Sequence, residues 1–445
     1  MKRCIFLLFL MLLLGSLNLH ATYAEDLQSL LDNLGDGEVL HLENKTYEGN
    51  IVITKPMEIV GSEDTVIRGD GLGNVISIEA PGVKLKNLTV TNSSMTRNDA
   101  EEYAAIKIHS DGNIINNVTI TDSFHGIYLS QAHENVIENC HIIGLGDGTI
   151  GGQGNGLHIY FSNNNLFKNN FVDGARDGMY FEYSNDSEAF GNYLTNNRYG
   201  LHYMYSHDNT FKENIFTSNK GGAAVMESFR NVLENNQFIY NYGHKSFGIL
   251  LLMANDTVIE NNTLFFNQRG LYIDSSTNNL IQNNHIVQNH IGIELWASSN
   301  EQVFTLNKIE ENIIPVFTLG GQGRNYWNKD GQGNFWGSDF PVIDLDQNKI
   351  GDVPVIYQSS LTELIGDQEL TYLFLKSPAI KIYDKVNQLF NEPKIMFEDS
   401  SPIVMDKWIN TYWVWLMLAG IFVLFIIVKG RFLLCTMYGR NGRKM

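Results

Sequence analysis

His202 and Met204 stand two residues apart in the phrase Gly200-Leu-His-Tyr-Met204, and Met226 closes a phrase of the same form 22 residues further on. Residues two apart on a strand share a face at a separation of about 6.6–6.8 Å, and the same position on the next stacked strand is about 4.8 Å away. An imidazole and two thioethers on such a triangle can converge on one ion. Nitrogen with soft sulfur and no thiolate suits Cu(I). Met253, Met179, His207 and His244 lie close enough in the ladder of stacked strands to be reserve ligands. The other reading of these methionines is an adaptable contact surface beneath a partner. Ala224, Leu250 and Leu252 take matching outward positions nearby and form an apolar strip, expected to dock that partner.

Two further constellations could do chemistry. Asp344, Asp346, Asn348 and Asp352 place oxygen ligands at alternate positions, with the Ile350 carbonyl available and Gly351 for the turn. This is the spacing of a calcium loop that lacks its terminal bidentate Glu, and an ion-free Asx-turn structure is the alternative. Asp173, Arg176, Asp177 and Glu182 could serve a polysaccharide lyase, hydrolase or epimerase, where a base works beside groups that neutralise a uronate.

The elements that position these residues are repeats. A small-apolar-x-apolar phrase begins at Ala105, Gly126, Gly156, Gly178, Gly200, Gly222, Gly248, Gly270 and Gly292, and a second phrase starting at Asn113, Asn135, Asn165, Ser187, Asn209, Asn231, Thr257, Asn279 and Glu301 keeps step with it. Most intervals are 22 residues. Apolar spacing of two with Gly and Asn between runs excludes a helical hairpin, and a unit that buries one face must stack on its neighbours. The fold class is therefore all-β, a right-handed parallel β-helix over residues 25–320. The first and third positions after each Gly face the core and the second and fourth face outward. Asn of the second phrase is expected to form an inner ladder, linking coils by its amide and tolerating left-handed backbone. Leu27, Leu30, Leu31 and Leu34 suggest a short helix over the N-terminal end. Residues 321–407 should cap the other end with the Asp-rich loop and helices over 361–375 and 377–390, the second with a Ser cap and Pro in its first turn. Insertions fall near 144–154 and 242–245, which map to loops, either tolerated or on the working face.

Composition bounds the function. The formal charge of −18 includes basic ends, Lys2-Arg3 and a five-cation tail, leaving −25 between them. Such a body repels nucleic acid, anionic lipid and polyuronates, and favours cations or basic partners. Residues 1–24 read as a secretory signal peptide cut after Ala24, and 408–428, uncharged and roughly 31 Å long as a helix, as a transmembrane segment followed by a basic cytoplasmic tail at 429–445. Only Cys140 then remains outside, so no internal disulfide or multi-thiolate metal site is possible there.

Gly200-Leu-His-Tyr-Met-Tyr-Ser-His-Asp208, Arg176-Asp-Gly-Met-Tyr180, Arg324-Asn-Tyr-Trp327, Asp344 to Pro354 and Leu375-Lys-Ser-Pro-Ala379 together resemble the NosD family of nitrous oxide reductase maturation proteins, from the signal to about Phe390. The resemblance implies an extracytoplasmic, non-enzymatic component that works with an ABC transporter permease and ATPase. It also implies that copper arrives from a copper chaperone and goes towards the copper-sulfur centre of nitrous oxide reductase. The C-terminal anchor departs from the mainly soluble members; tethering would hold the solenoid beside its permease.

Overall fold

The period of 22 residues gives each repeat room for short strands and tight turns, and the chain winds them into a parallel β-helix. The computed structural model describes residues 26–96, 102–146, 151–321, 323–359, 361, 374, 377–390 and 393–404. The expected signal peptide, membrane segment and basic tail, and most of the helix over 361–375, lie outside the described residues. Among the described residues no helix is long and apolar enough to cross a membrane.

One face of the solenoid is a sheet of twelve strands, one per coil, stacked in chain order from Ile51–Ile53 to Ile314–Leu319. Pairing is parallel and in register: Met179 sits beside Leu201, Tyr180 beside His202, and Met204 beside Met226. Strand parity then sorts the side chains. Leu201, Tyr203, Phe181, Ile249 and Leu251 point inward and are fully buried, with Phe167, Phe211, Phe216 and Phe238 filling the interior from the other faces.

Asn holds the coils together at three corners. The Asn209 N–H donates to Asn231 Oδ1 at 2.9 Å, and the Asn231 side chain donates back to the Ser206 carbonyl. A second column runs through Asn192, Asn214, Asn236 and Asn262, and a third through Asn197, Asn219, Asn241 and Asn267. Each amide thus satisfies a buried N–H that no strand partner reaches. Two details correct the expectation. The left-handed residue is the one before the ladder Asn, as at Asp208 (φ 58°) and Arg230 (φ 55°). In the last repeat Asn279 bonds Gln302, not Glu301, because that coil carries one extra residue.

Both ends are closed. The helix Leu27–Asn33, N-capped by Asp26, buries Leu27 and Leu31, and Gln28 bonds Val52 on the first strand. At the far end Lys394–Asp399 pairs antiparallel with Val355–Ser359 and stacks Phe397 on Trp336 at 3.8 Å. Asp399 terminates an Asn column by accepting from the Asn334 N–H and the Trp336 indole, each at 2.8 Å. The helix Pro378–Asn387 has the expected Ser377 cap and leading Pro.

Candidate functional site

The second position after the Gly, the first to face outward, builds a column of side chains on the twelve-stranded sheet: Tyr128, His158, Tyr180, His202, Ala224 and Leu250. The His158 ring stacks on Tyr128 at 4.3 Å and meets Tyr180 at 5.0 Å; Tyr180 meets His202 at 4.8 Å. Beside this column lies a cavity of about 250 Å³, lined by Glu102, His125, Asn155, Arg176, Glu182 and Arg198 among others. The 144–154 insertion leads into its wall at Gly154 and Asn155.

Buried charge in the cavity is paired. Asp177 accepts from Arg198 Nε at 2.8 Å and Nη2 at 2.5 Å, and from His202 Nδ1 at 3.1 Å. Burial alone would raise the Asp177 carboxyl, but the His202 and Arg198 hydrogen bonds bring it down to about 2. Asp177, ionised, can only accept, which assigns the His202 proton to Nδ1 even though Arg198 Nη2 also lies 3.3 Å from that atom; Nε2 then carries the lone pair, and it is buried with no hydrogen-bond partner. A carboxylate behind one imidazole nitrogen fixes the tautomer and raises the basicity of the other, the arrangement found behind metal-ligating histidines.

Glu102, His125 and His158 place a carboxylate oxygen and two ring nitrogens within 4.8 Å of one another. Yet His125 Nδ1 accepts the Asn155 N–H at 2.8 Å, so the neutral ring carries its proton on Nε2 and donates it to Glu102 at 3.2 Å. Burial lowers the His125 pKa, keeping the ring neutral. Both its nitrogens are therefore committed, and it holds Glu102 and Asn155 in place. His158 is different: its pKa is held well below the ordinary value by burial, and its Nε2 is buried and unpartnered.

The sequence-chosen residues are distributed as follows. Met204 and Met226 are direct register neighbours, both half-buried, on the face that carries His202. Met179 is fully buried in the interior, on the opposite face of the sheet, which removes it from the reserve ligands. His207 packs flat against Phe229 and its Nδ1 accepts the Phe229 N–H at 3.1 Å. Met253 is exposed in a turn at φ 51°, and His244 is exposed in the 242–245 loop. Ala224 and Leu250 are buried, covered with Phe247 by Tyr199, Met226, Leu252 and Tyr272, so the apolar strip is a self-packed cluster of which Leu252 is a half-buried part. Arg176, Asp177 and Glu182 converge on the cavity, whereas Asp173 sits on another face, bonded to Asn196. Asp344, Asp346 and Asp352 cluster, but their oxygens accept from Lys349, Asn348 and Leu345 N–H groups, as in Asx turns.

Sequence reasoning missed His125, His158, Glu102 and Arg198. His158 was available from the phrase itself, since it shares the position of His202 two coils earlier; Glu102 was not, because it belongs to a connection outside the repeat.

The cavity wall and the His202 column lie within a stretch shared with known proteins. A family model described as periplasmic copper-binding protein (NosD) matches residues 145–340. A curated relative, the probable ABC transporter binding protein NosD of Pseudomonas aeruginosa, is 34% identical over 406 residues, covering 86% of this chain and 91% of the relative. The chain belongs to the NosD family. Among solved structures, DFA-IIIase from Arthrobacter chlorophenolicus is similar with a TM-score of 0.47 at 11% identity, covering 60% of this chain and 83% of that one. An alginate lyase from Paenibacillus is similar with a TM-score of 0.40 at 16% identity, covering 53% and 91% respectively.

Proposed function

We propose that this NosD-family chain is an extracytoplasmic copper-binding protein whose cargo, Cu(I), is held by His202 Nε2 with the thioethers of Met204 and Met226. The observation that carries this reading is the buried, unpartnered Nε2 of His202, oriented by Asp177 and set two residues from the Met204–Met226 pair. A soft three-ligand set with no thiolate fits a monovalent ion that must be released again. The family description and the name of the Pseudomonas relative support delivery in concert with an ABC transporter permease and ATPase. By extension, a copper chaperone supplies the ion, nitrous oxide reductase receives it for its copper-sulfur centre, and the apolar segment 408–428 tethers the body to the membrane. An acid–base role on an acidic polysaccharide has less support. The cavity holds three carboxylates against two guanidinium groups, one of them committed to Asp177, and would repel a polyuronate.

Competition with a Cu(I) chelator tests the site. One ion per chain is expected, bound at least about tenfold more weakly in Met204→Ala and Met226→Ala and unaltered in Met95→Ala, whose side chain is exposed elsewhere. Equal affinity in all four proteins refutes the assignment.

A further inference from the structure

We propose that Arg176, Arg198 and Lys220 form a binding site for one small oxyanion, a phosphate or a carboxylate, in a cavity walled in part by the 144–154 insertion. The site stands independently of the copper reading, because none of His202, Met204 and Met226 lines this cavity.

The strand register stacks the three cations. Asp177 lies beside Tyr199 and Tyr199 beside Gly221, so Arg176, Arg198 and Lys220, the residues just before them, take one position on three successive coils. The Arg198 N–H donates to the Arg176 carbonyl at 2.7 Å, which keeps the first two in step. Equivalent positions are about 4.8 Å apart, and like charges stacked at that spacing repel. Elsewhere on this acidic solenoid basic side chains sit on carboxylates: Lys86 on Glu58, Arg230 on Asp208, Arg269 on Glu294. Within the column Asp177 neutralises Arg198. Among the described residues Arg176 and Lys220 have no ion pair, and Arg176 Nε is buried with no hydrogen-bond partner. Buried donors are nearly always satisfied, so a bare guanidinium N–H beside unneutralised positive charge calls for an acceptor that brings negative charge.

The space agrees with the charge. The three cations line a cavity of about 90 Å³, and no carboxylate is among the described residues of its wall. Asp177 lines the larger neighbouring cavity instead, and Asp173 is tied to Asn196 Nδ2 at 2.7 Å. The volume exceeds what one water needs and admits a small oxyanion. The 144–154 insertion contributes Gly146 and Gln153 to the wall. Gln153 is buried and its Oε1 accepts the Leu145 N–H at 3.1 Å, so the group it has left to offer is an N–H donor. Guanidinium, ammonium and amide N–H groups around one small space complement an oxyanion and exclude a metal ion. The insertion thereby gains a purpose that the stacking of coils does not require of it.

The test is calorimetric titration of the full chain at low ionic strength, with inorganic phosphate in one arm and acetate in the other. One anion per chain is expected, and whichever of the two binds more tightly tells a phosphate ligand from a carboxylate. Affinity should fall at least about tenfold in Arg176→Gln and in Lys220→Gln. It should stay at the parent value in Lys84→Gln, which removes an exposed cation from the other large sheet. Binding of neither anion, binding that survives either column variant, or a loss shared by Lys84→Gln overturns the proposal and leaves the cavity to water. If Arg176→Gln does not fold by circular dichroism, Lys220→Gln decides alone, its side chain being exposed.

Discussion

Asp177 links the stability of the site to its chemistry. Its carboxyl titrates at about 2 in the folded chain against an ordinary 3.8, so the native state holds the ionised form more firmly than the unfolded chain does. The contribution is complete above the ordinary value and is lost as pH falls from there through about 2, an amount of roughly 2 kcal/mol. Asp177→Asn removes it. Thermal midpoints of parent and variant should differ near neutrality and converge as the pH is lowered towards 2; parallel curves refute the linkage. The same variant should weaken Cu(I) by about 10–100-fold, because the ring of His202 then has a neutral amide in place of the carboxylate that orients it and raises its basicity.

At the scale of the coil, the Gly that opens each phrase is there for space. A Cβ on Gly200 would come within 2.8 Å of the Gly222 carbonyl oxygen and 2.6 Å of Phe216 Cδ1, and the same approach recurs from Gly126 to Gly292. Gly200→Ala should therefore cost about 1–3 kcal/mol as overpacking, read as a lowered urea midpoint, while Gly151→Ala, with open space around it, should be neutral. Equal midpoints for the two would remove the steric account. The period made the coil legible in sequence, and strand parity correctly sent Tyr203 inward and His202 and Met204 outward. Parity also sends Met179 inward, so choosing it as a ligand set proximity in the ladder above direction. The burial of Ala224 and Leu250 was not legible, because it depends on Tyr199 and Phe247, which come from a neighbouring column, and on Tyr272 folding over its own column. Two of the three Asn columns went unread although Asn192, Asn214 and Asn236 keep the 22-residue step, since only the column in phase with the apolar phrase was sought.

The whole body is a stack in which each coil touches only its neighbours, with a short helix on one end and an antiparallel pair on the other. Stability in such a stack is a sum over interfaces, and opening starts at the ends. Amide hydrogens of Ile51–Ile53 and Ile314–Leu319 should exchange before those of Tyr199–Met204 and Gly221–Met226, which lie in the seventh and eighth of twelve coils. Uniform exchange along the chain would mean that the solenoid opens all at once. Fixed stacking also makes the solenoid a ruler. His202 lies five coils before the last strand, so at the stacking spacing it stands roughly 24 Å along the axis from the C-terminal cap. Removing one coil would lower the site by one notch and leave its chemistry alone. Whatever grips the cap therefore meets His202 at a height set by the number of repeats between them.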